Sequence, residues 1–128
     1  MKTMLVCGLG ILIVTTRGSF AAVDPLNGIW AMNAKECAVR NGPPGRIRID
    51  LNNRDDGEVA PLVDRYESHC KVAKVTNEGL GYRLELTCFE TWDRYKKNQE
   101  PTQSAISISV LGPNALSIDG ATHVRCSR

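Results

Sequence analysis

Apolar and polar residues alternate with a period of two along much of this chain. Ile47, Ile49 and Leu51 alternate with Arg46, Arg48 and Asp50, and Leu84, Leu86 and Cys88 with Arg83, Glu85 and Thr87. Ile106, Ile108 and Val110 are separated by Ser107 and Ser109. Successive side chains of a strand point to opposite faces, so this pattern marks half-buried antiparallel strands, apolar inward and polar outward. Turn-forming clusters punctuate it at Asn41-Gly42-Pro43-Pro44-Gly45, between Asn52 and Gly57, between Asn77 and Gly81, at Gly112-Pro113-Asn114 and at Asp119-Gly120. Strands are predicted over Gly28 to Asn33, Arg46 to Leu51, Leu62 to Glu67, Cys70 to Thr76, Tyr82 to Cys88, Ala105 to Leu111, Leu116 to Asp119 and Thr122 to Ser127. The fold class is all-β: a small antiparallel up-and-down barrel or rolled sheet of about eight short strands.

One segment departs from this period. Phe89, Trp92 and Tyr95 or Lys96 recur at helical spacing, and Pro101 closes the run. The spacing predicts a short helix over Glu90 to Asn98, lying across one end of the sheet. A longer strand, with Phe89, Thr91, Asp93 and Tyr95 on one face, is the competing reading.

The amino terminus reads as an export leader. Met1-Lys2 is a minimal charged start, Met4 to Val14 is almost unbroken apolar sequence, and Ser19-Phe20-Ala21 offers small residues where a signal peptidase reads. Cleavage is expected after Ala21, giving residues 1–21 as leader and 22–128 as one β-barrel domain. The apolar run falls well short of the roughly 20 residues that span a bilayer as a helix, so insertion after cleavage is not expected. Cys7 has Val6 before it, not the small residue a lipoprotein site needs, and leaves with the leader.

Four cysteines remain, Cys37, Cys70, Cys88 and Cys126, an even number in an oxidising compartment, the periplasm or the exterior. Three pairings are formally open, and hairpin arithmetic selects one. If Asn77 to Gly81 is a five-residue connection centred on Gly79, Val72 faces Leu86 and Cys70 faces Cys88. Directly opposed positions suit a disulfide. Cys37 and Cys126, near the first and last strands, then pair if the sheet closes on itself. A metal site formed by His69-Cys70 and His123 with Cys126 matches no finger-type spacing, so no metal is expected.

Charge removes two partner classes. Of 16 Lys and Arg against 14 Asp and Glu, the excess pair, Lys2 and Arg17, falls in the leader, so the remaining 107 residues carry equal numbers of each sign. A neutral domain lacks the basic stripe that nucleic acid or anionic lipid would require.

Leu26-Asn27-Gly28-Ile29-Trp30 contains the Gly-x-Trp that opens the first strand of many small barrels, and the chain here resembles lipocalins and bacterial periplasmic metalloprotease inhibitors. In lipocalins an arginine near the last strand packs over that tryptophan. The resemblance implies that Trp30 and Arg125 together plug the barrel's narrow end. The wider set of landmarks is Gly-x-Trp followed by Cys37, then Tyr66-Glu67-Ser68-His69-Cys70, Leu86-Thr87-Cys88-Phe89-Glu90 and Arg125-Cys126. It is similar to a group of small exported α-proteobacterial proteins, and implies fold and compartment more than activity. The Ser-Gly-x-x-Tyr loop of periplasmic C-type lysozyme inhibitors is absent.

Four functional classes remain. An enzyme needs a nucleophile beside a base or two carboxylates in a cleft. His69 with Glu67, His123 with Asp119, and Asp55-Asp56 are the nearest approaches, and none brings a serine or free thiol, so no catalytic residue and no cofactor are assigned. A calycin-like carrier of a small apolar ligand needs longer strands than these to leave a cavity. A structural envelope role without a ligand is a further alternative. The expected function is binding or inhibition of another protein, with a hydrolase as candidate partner and a monomeric binder. Trp92, Tyr95 and Tyr66 are its expected interaction patch, since aromatics dominate interface energetics.

Overall fold

The computed structural model describes residues 25–52 and 61–127. The leader, Cys7 and the Asp55-Asp56-Gly57 turn lie outside the described residues. Eight antiparallel strands follow one another in chain order: β1 (Gly28–Ala31), β2 (Arg46–Asp50), β3 (Leu62–Arg65), β4 (Ser68–Glu78), β5 (Gly81–Phe89), β6 (Thr102–Gly112), β7 (Ala115–Ile118) and β8 (Ala121–Arg125). Each pairs with its neighbour, and β1 closes on β8 through Trp30 opposite Arg125 and Ala31 opposite Val124. The result is a closed barrel, the first of the two architectures the alternation allowed.

Strand lengths are less uniform than expected. β4 and β6 have 11 residues each and β5 has 9, whereas β1, β3 and β7 have four. The long β4–β5 hairpin owes its length to its turn. Only Gly79 and Leu80 separate the paired residues Glu78 and Gly81, with Gly79 at φ +58°, so the connection has two residues and not five. A glycine at the first central position supplies the positive φ that such a turn needs. The register then slips once between Val72 and Lys74, and this bulge restores the expected pairing of Val72 with Leu86 and Cys70 with Cys88.

The inward positions fill the barrel. Trp30, Ile49, Val63, Leu84, Leu86, Ile106, Ile108 and Leu116 are all at most 2% exposed and form one cluster with Leu26, Ile47, Leu51 and Ile118. Each such side chain contributes on the order of 1.5–3 kcal/mol by leaving water. His123 is also buried, its Nδ1 bonded to the Ala121 carbonyl at 2.7 Å.

Both expected disulfides are present. Cys70 and Cys88 join neighbouring strands with their Cα atoms 4.0 Å apart, and Cys37 joins Cys126 across a sequence separation of 89. In the chain-entropy model such loops stabilise by roughly 3 and 4.5 kcal/mol. Bridges of this kind belong to an oxidising, extracytoplasmic setting. Among the described residues no helix is long and apolar enough to cross a membrane.

Candidate functional site

Trp30 and Arg125 meet as the resemblance implied. The Trp30 side chain is fully buried and its Nε1–H donates to the Leu26 carbonyl at 2.9 Å. The Arg125 guanidinium lies 4.2 Å from the indole centroid. It also donates to the carbonyls of Asn27 (2.7 Å), Pro113 (3.2 Å) and Pro25 (3.3 Å). Gly28 makes room for this arrangement: at φ +147°, a Cβ there would collide with Arg125 Nη1. The Gly-x-Trp motif and Arg125 are therefore one structural unit, with Trp30 in the core cluster and the guanidinium packed over its ring.

The helix forms, over a shorter span than expected, as α1 (Trp92–Lys97). Thr91 caps it, its hydroxyl accepting from the Arg94 amide at 3.2 Å, and Asn98 ends it in the left-handed region at φ +51°. Phe89 belongs to the end of β5. Tyr95 points down into a second apolar cluster with Leu62 and Phe89 on the outer wall of the barrel, meeting the Phe89 ring edge-on at 5.7 Å. Lys71 fastens the helix end, its Nζ 4.7 Å from the Tyr95 centroid and 2.5 Å from Asn98 Oδ1.

The expected aromatic patch is thus divided. Tyr95 is 1% exposed and serves as the helix's anchor, because a helix this short holds to the sheet only by burying its one inward aromatic. Trp92 and Tyr66 remain on the surface, 40% and 43% exposed. Trp92 leans against the sheet, stacked on the His69 ring with centroids 4.0 Å apart.

Strand register explains what lies beneath Trp92. Ile29 pairs with Arg48, Arg48 with Asp64, Asp64 with His69, and His69 with Phe89, so five outward-facing residues form one row across β1 to β5. Over this row opens a groove of about 1370 Å³ on the outside of the barrel. Its floor is Ile29, Arg48, Asp64 and His69; Arg40 and Asn41 stand on one side and Glu90, Thr91 and Trp92 on the other. Tyr66 and Glu67 stand at one end, in the two-residue turn between Arg65 and Ser68. The Cys37–Cys126 bridge holds the Arg40 wall, since Cys37 sits in the 3-10 turn Glu36–Ala38. Glu36 Oε2 braces the same loop by accepting from the Gly45 amide at 3.2 Å.

The groove's acids already have partners. Asp50 meets Arg48 at 3.4 Å, Asp64 accepts from His69 Nδ1 at 2.6 Å, and Glu90 pairs with Arg94 at 3.2 Å. Glu67 hydrogen-bonds the Tyr66 phenol, and this bond, together with the carboxylate's charge, raises the Tyr66 pKa above its ordinary 10.0. Sequence reasoning had placed Glu67, not Asp64, beside His69. Glu67 instead occupies the turn at φ +52°, and the tight connection sets Asp64 directly across from His69. Asp119, considered as a partner of His123, accepts instead from the Ser107 amide at 2.9 Å. No hydroxyl or thiol among the described residues is bonded to His69, and no group of three His, Cys, Asp or Glu side chains among them could hold a metal ion.

Compared with protein-family models, curated proteins and solved structures, the chain matches none.

Proposed function

We propose that this protein is exported through its amino-terminal leader and acts outside the cytoplasm as a protein-binding barrel, with the outer groove beside α1 as its contact surface. The observation that carries this reading is the contrast between inside and outside. The interior is occupied by the barrel's own leucines and isoleucines, which counts against a carrier of small apolar ligands, while the wide concavity lies on the outer wall beside two exposed aromatics. Trp92 is held in place by His69 and α1, so it meets a partner with little conformational freedom left to lose. His69 is oriented by Asp64 without a nucleophile beside it, an arrangement suited to recognition more than to covalent chemistry. Inhibition of a hydrolase is one form such binding takes, and lysozymes and proteases are the first partners to test.

The test is affinity capture from periplasmic extract and from a panel of lysozymes and proteases, followed by hydrogen-exchange footprinting of any complex. Protection concentrated in residues 46–50, 64–69 and 90–92, with binding weakened by Trp92→Ala or Tyr66→Ala, supports the groove. A complex protecting only β6 and β7, and indifferent to both substitutions, refutes it.

A further inference from the structure

The hairpin of β4 and β5 reaches past its neighbour and leaves a strand edge open. β3 pairs with β4 only along residues 68–71, and a bond from the Val72 amide to the Pro61 carbonyl ends that ladder. Beyond it, along residues 74–78, β4 pairs with β5 on one side and with no described strand on the other. We infer that this edge pairs with the same edge of a second copy of the chain, antiparallel about a two-fold axis at Thr76. Sequence reasoning expected a monomer; the edge argues for a reversible dimer. None of its residues lines the outer groove, so the inference is independent of that contact surface.

The register follows from the turn. Glu78 and Gly81 close a two-residue hairpin and therefore exchange ladder bonds. Alternation along the antiparallel pair then directs the backbone groups of Thr76 and Lys74 toward β5, and those of Val75 and Asn77 toward the open edge. Two copies satisfy these groups when Val75 of each faces Asn77 of the other, every such pair exchanging both of its bonds. Thr76 then meets its own counterpart, and Lys74 of each copy lies opposite Glu78 of the other. Lys74, Thr76 and Glu78 share the outer face, since Val75 between them packs on the core. Lys74 and Glu78 are exposed, and neither forms an ion pair among the described residues, although Glu85 stands across the ladder from Lys74. Moving the axis to Val75 would set Lys74 against Thr76, and moving it to Lys74 would bring the lysines together. Only the axis at Thr76 sets opposite charges face to face.

The bulge between Val72 and Lys74, and the lysine itself, are devices that keep foreign strands off an edge. A second copy answers the lysine with Glu78, so the edge discriminates between its own kind and a strand without a matching acid. A contact this short makes a weak dimer, with a dissociation constant on the order of 100 µM.

The measurement is sedimentation equilibrium on the full chain exported with its disulfides intact, at concentrations up to about 1 mM. Lys74→Glu and Glu78→Lys each place like charges at both contacts, so either variant alone should dimerise at least about tenfold more weakly than the parent. Mixed in equal amounts, the two variants regain opposite charges at both contacts and should associate within about threefold of the parent. Lys96→Glu, on α1 away from this edge, should stay within about twofold. In hydrogen exchange of the parent, the Val75 and Asn77 amides should gain protection as concentration rises, while the Thr76 amide, already bonded to β5, should not. A parent that remains monomeric at about 1 mM overturns the inference. So does a dimer indifferent to both charge changes, or a mixture of the weakened variants that fails to recover. The exchange readout needs no substitution, so unchanged Val75 and Asn77 amides across the concentration series overturn the inference even where a variant fails to fold.

Discussion

Trp30 offers the sharpest test of how the barrel end is held. Its indole is fully buried, so Trp30→Ala forfeits most of about 200 Å² of apolar contact, roughly 4–5 kcal/mol. The Leu26 carbonyl loses its donor at about 1 kcal/mol, and the Arg125 guanidinium loses the ring beneath it, again about 1 kcal/mol. These losses overlap and partial collapse recovers some of them, so the expected net is about 3–5 kcal/mol. A domain of this size has roughly 5–15 kcal/mol in all. Urea unfolding with the disulfides intact, at a slope of about 1 kcal/mol per molar, should move the midpoint down by about 3 M or more. Trp30→Phe keeps a ring but removes the donor and should shift it by about 1 M. Crossing Trp30→Phe with Arg125→Leu should return a coupling of about 0.5–1 kcal/mol. A Trp30→Ala shift below about 1 M would refute the closing role, because a plug cannot be removed that cheaply from a bridged barrel.

Other outcomes follow from contacts already described. Gly28→Ala should cost about 1–3 kcal/mol by the same denaturation assay, since the new Cβ displaces Arg125 and the residue must hold a φ of +147°. Trp92→Ala should cost only about 1 kcal/mol, losing its stack on His69 while leaving the Tyr95 anchor in place; a loss as large as that of Trp30→Ala would place Trp92 in the core and remove the interaction surface. For Tyr66, Glu67 makes the folded state hold the phenolic proton more tightly than the unfolded state does, so its contribution to stability is complete below pH 10 and declines as pH rises past 10.0. Glu67→Gln should move the Tyr66 tyrosinate transition, isolated by subtracting the Tyr66→Phe titration, back toward its ordinary value; an unmoved transition would show that Glu67 is not the cause.

The outline of the fold was legible because the inward positions of β2, β5, β6 and β7 carry mostly branched aliphatic residues. The β4–β5 register was legible for a subtler reason. The five-residue turn was the wrong connection, yet the bulge between Val72 and Lys74 offsets the one-residue error, and the cysteines face each other regardless. A trace of that bulge stands in the sequence: Cys70 and Val72 keep the period of two, but the next apolar residue packed on the core is Val75, three positions on. The turn at Tyr66-Glu67 left no such trace, since it contains neither glycine nor asparagine, and His69 was therefore matched with the wrong carboxylate. The groove could not be read at all. Arg46, Arg48 and Asp64 look like an ordinary solvated strand face until the register across β1 to β4 places them side by side. Tyr95 misled in the opposite direction, because helical spacing identifies a shared face without saying whether that face meets the barrel or the solvent.

The bridge between Cys37 and Cys126 also determines how the molecule responds to tension. A pull applied at the two ends is carried through the Cys37 sulfur to Cys126 and bypasses the chain between them, a sequence separation of 89. Only β1, which precedes Cys37, lies in the loaded segment, so the oxidised protein can peel that strand from β2 and β8 and extend by about 40 Å before the covalent clamp takes the force. The reduced protein has no such stop and can unravel by roughly 350 Å. A force spectrum would then report the redox state of the two bridges as about a tenfold difference in contour length, with seven strands of the barrel shielded in the oxidised form.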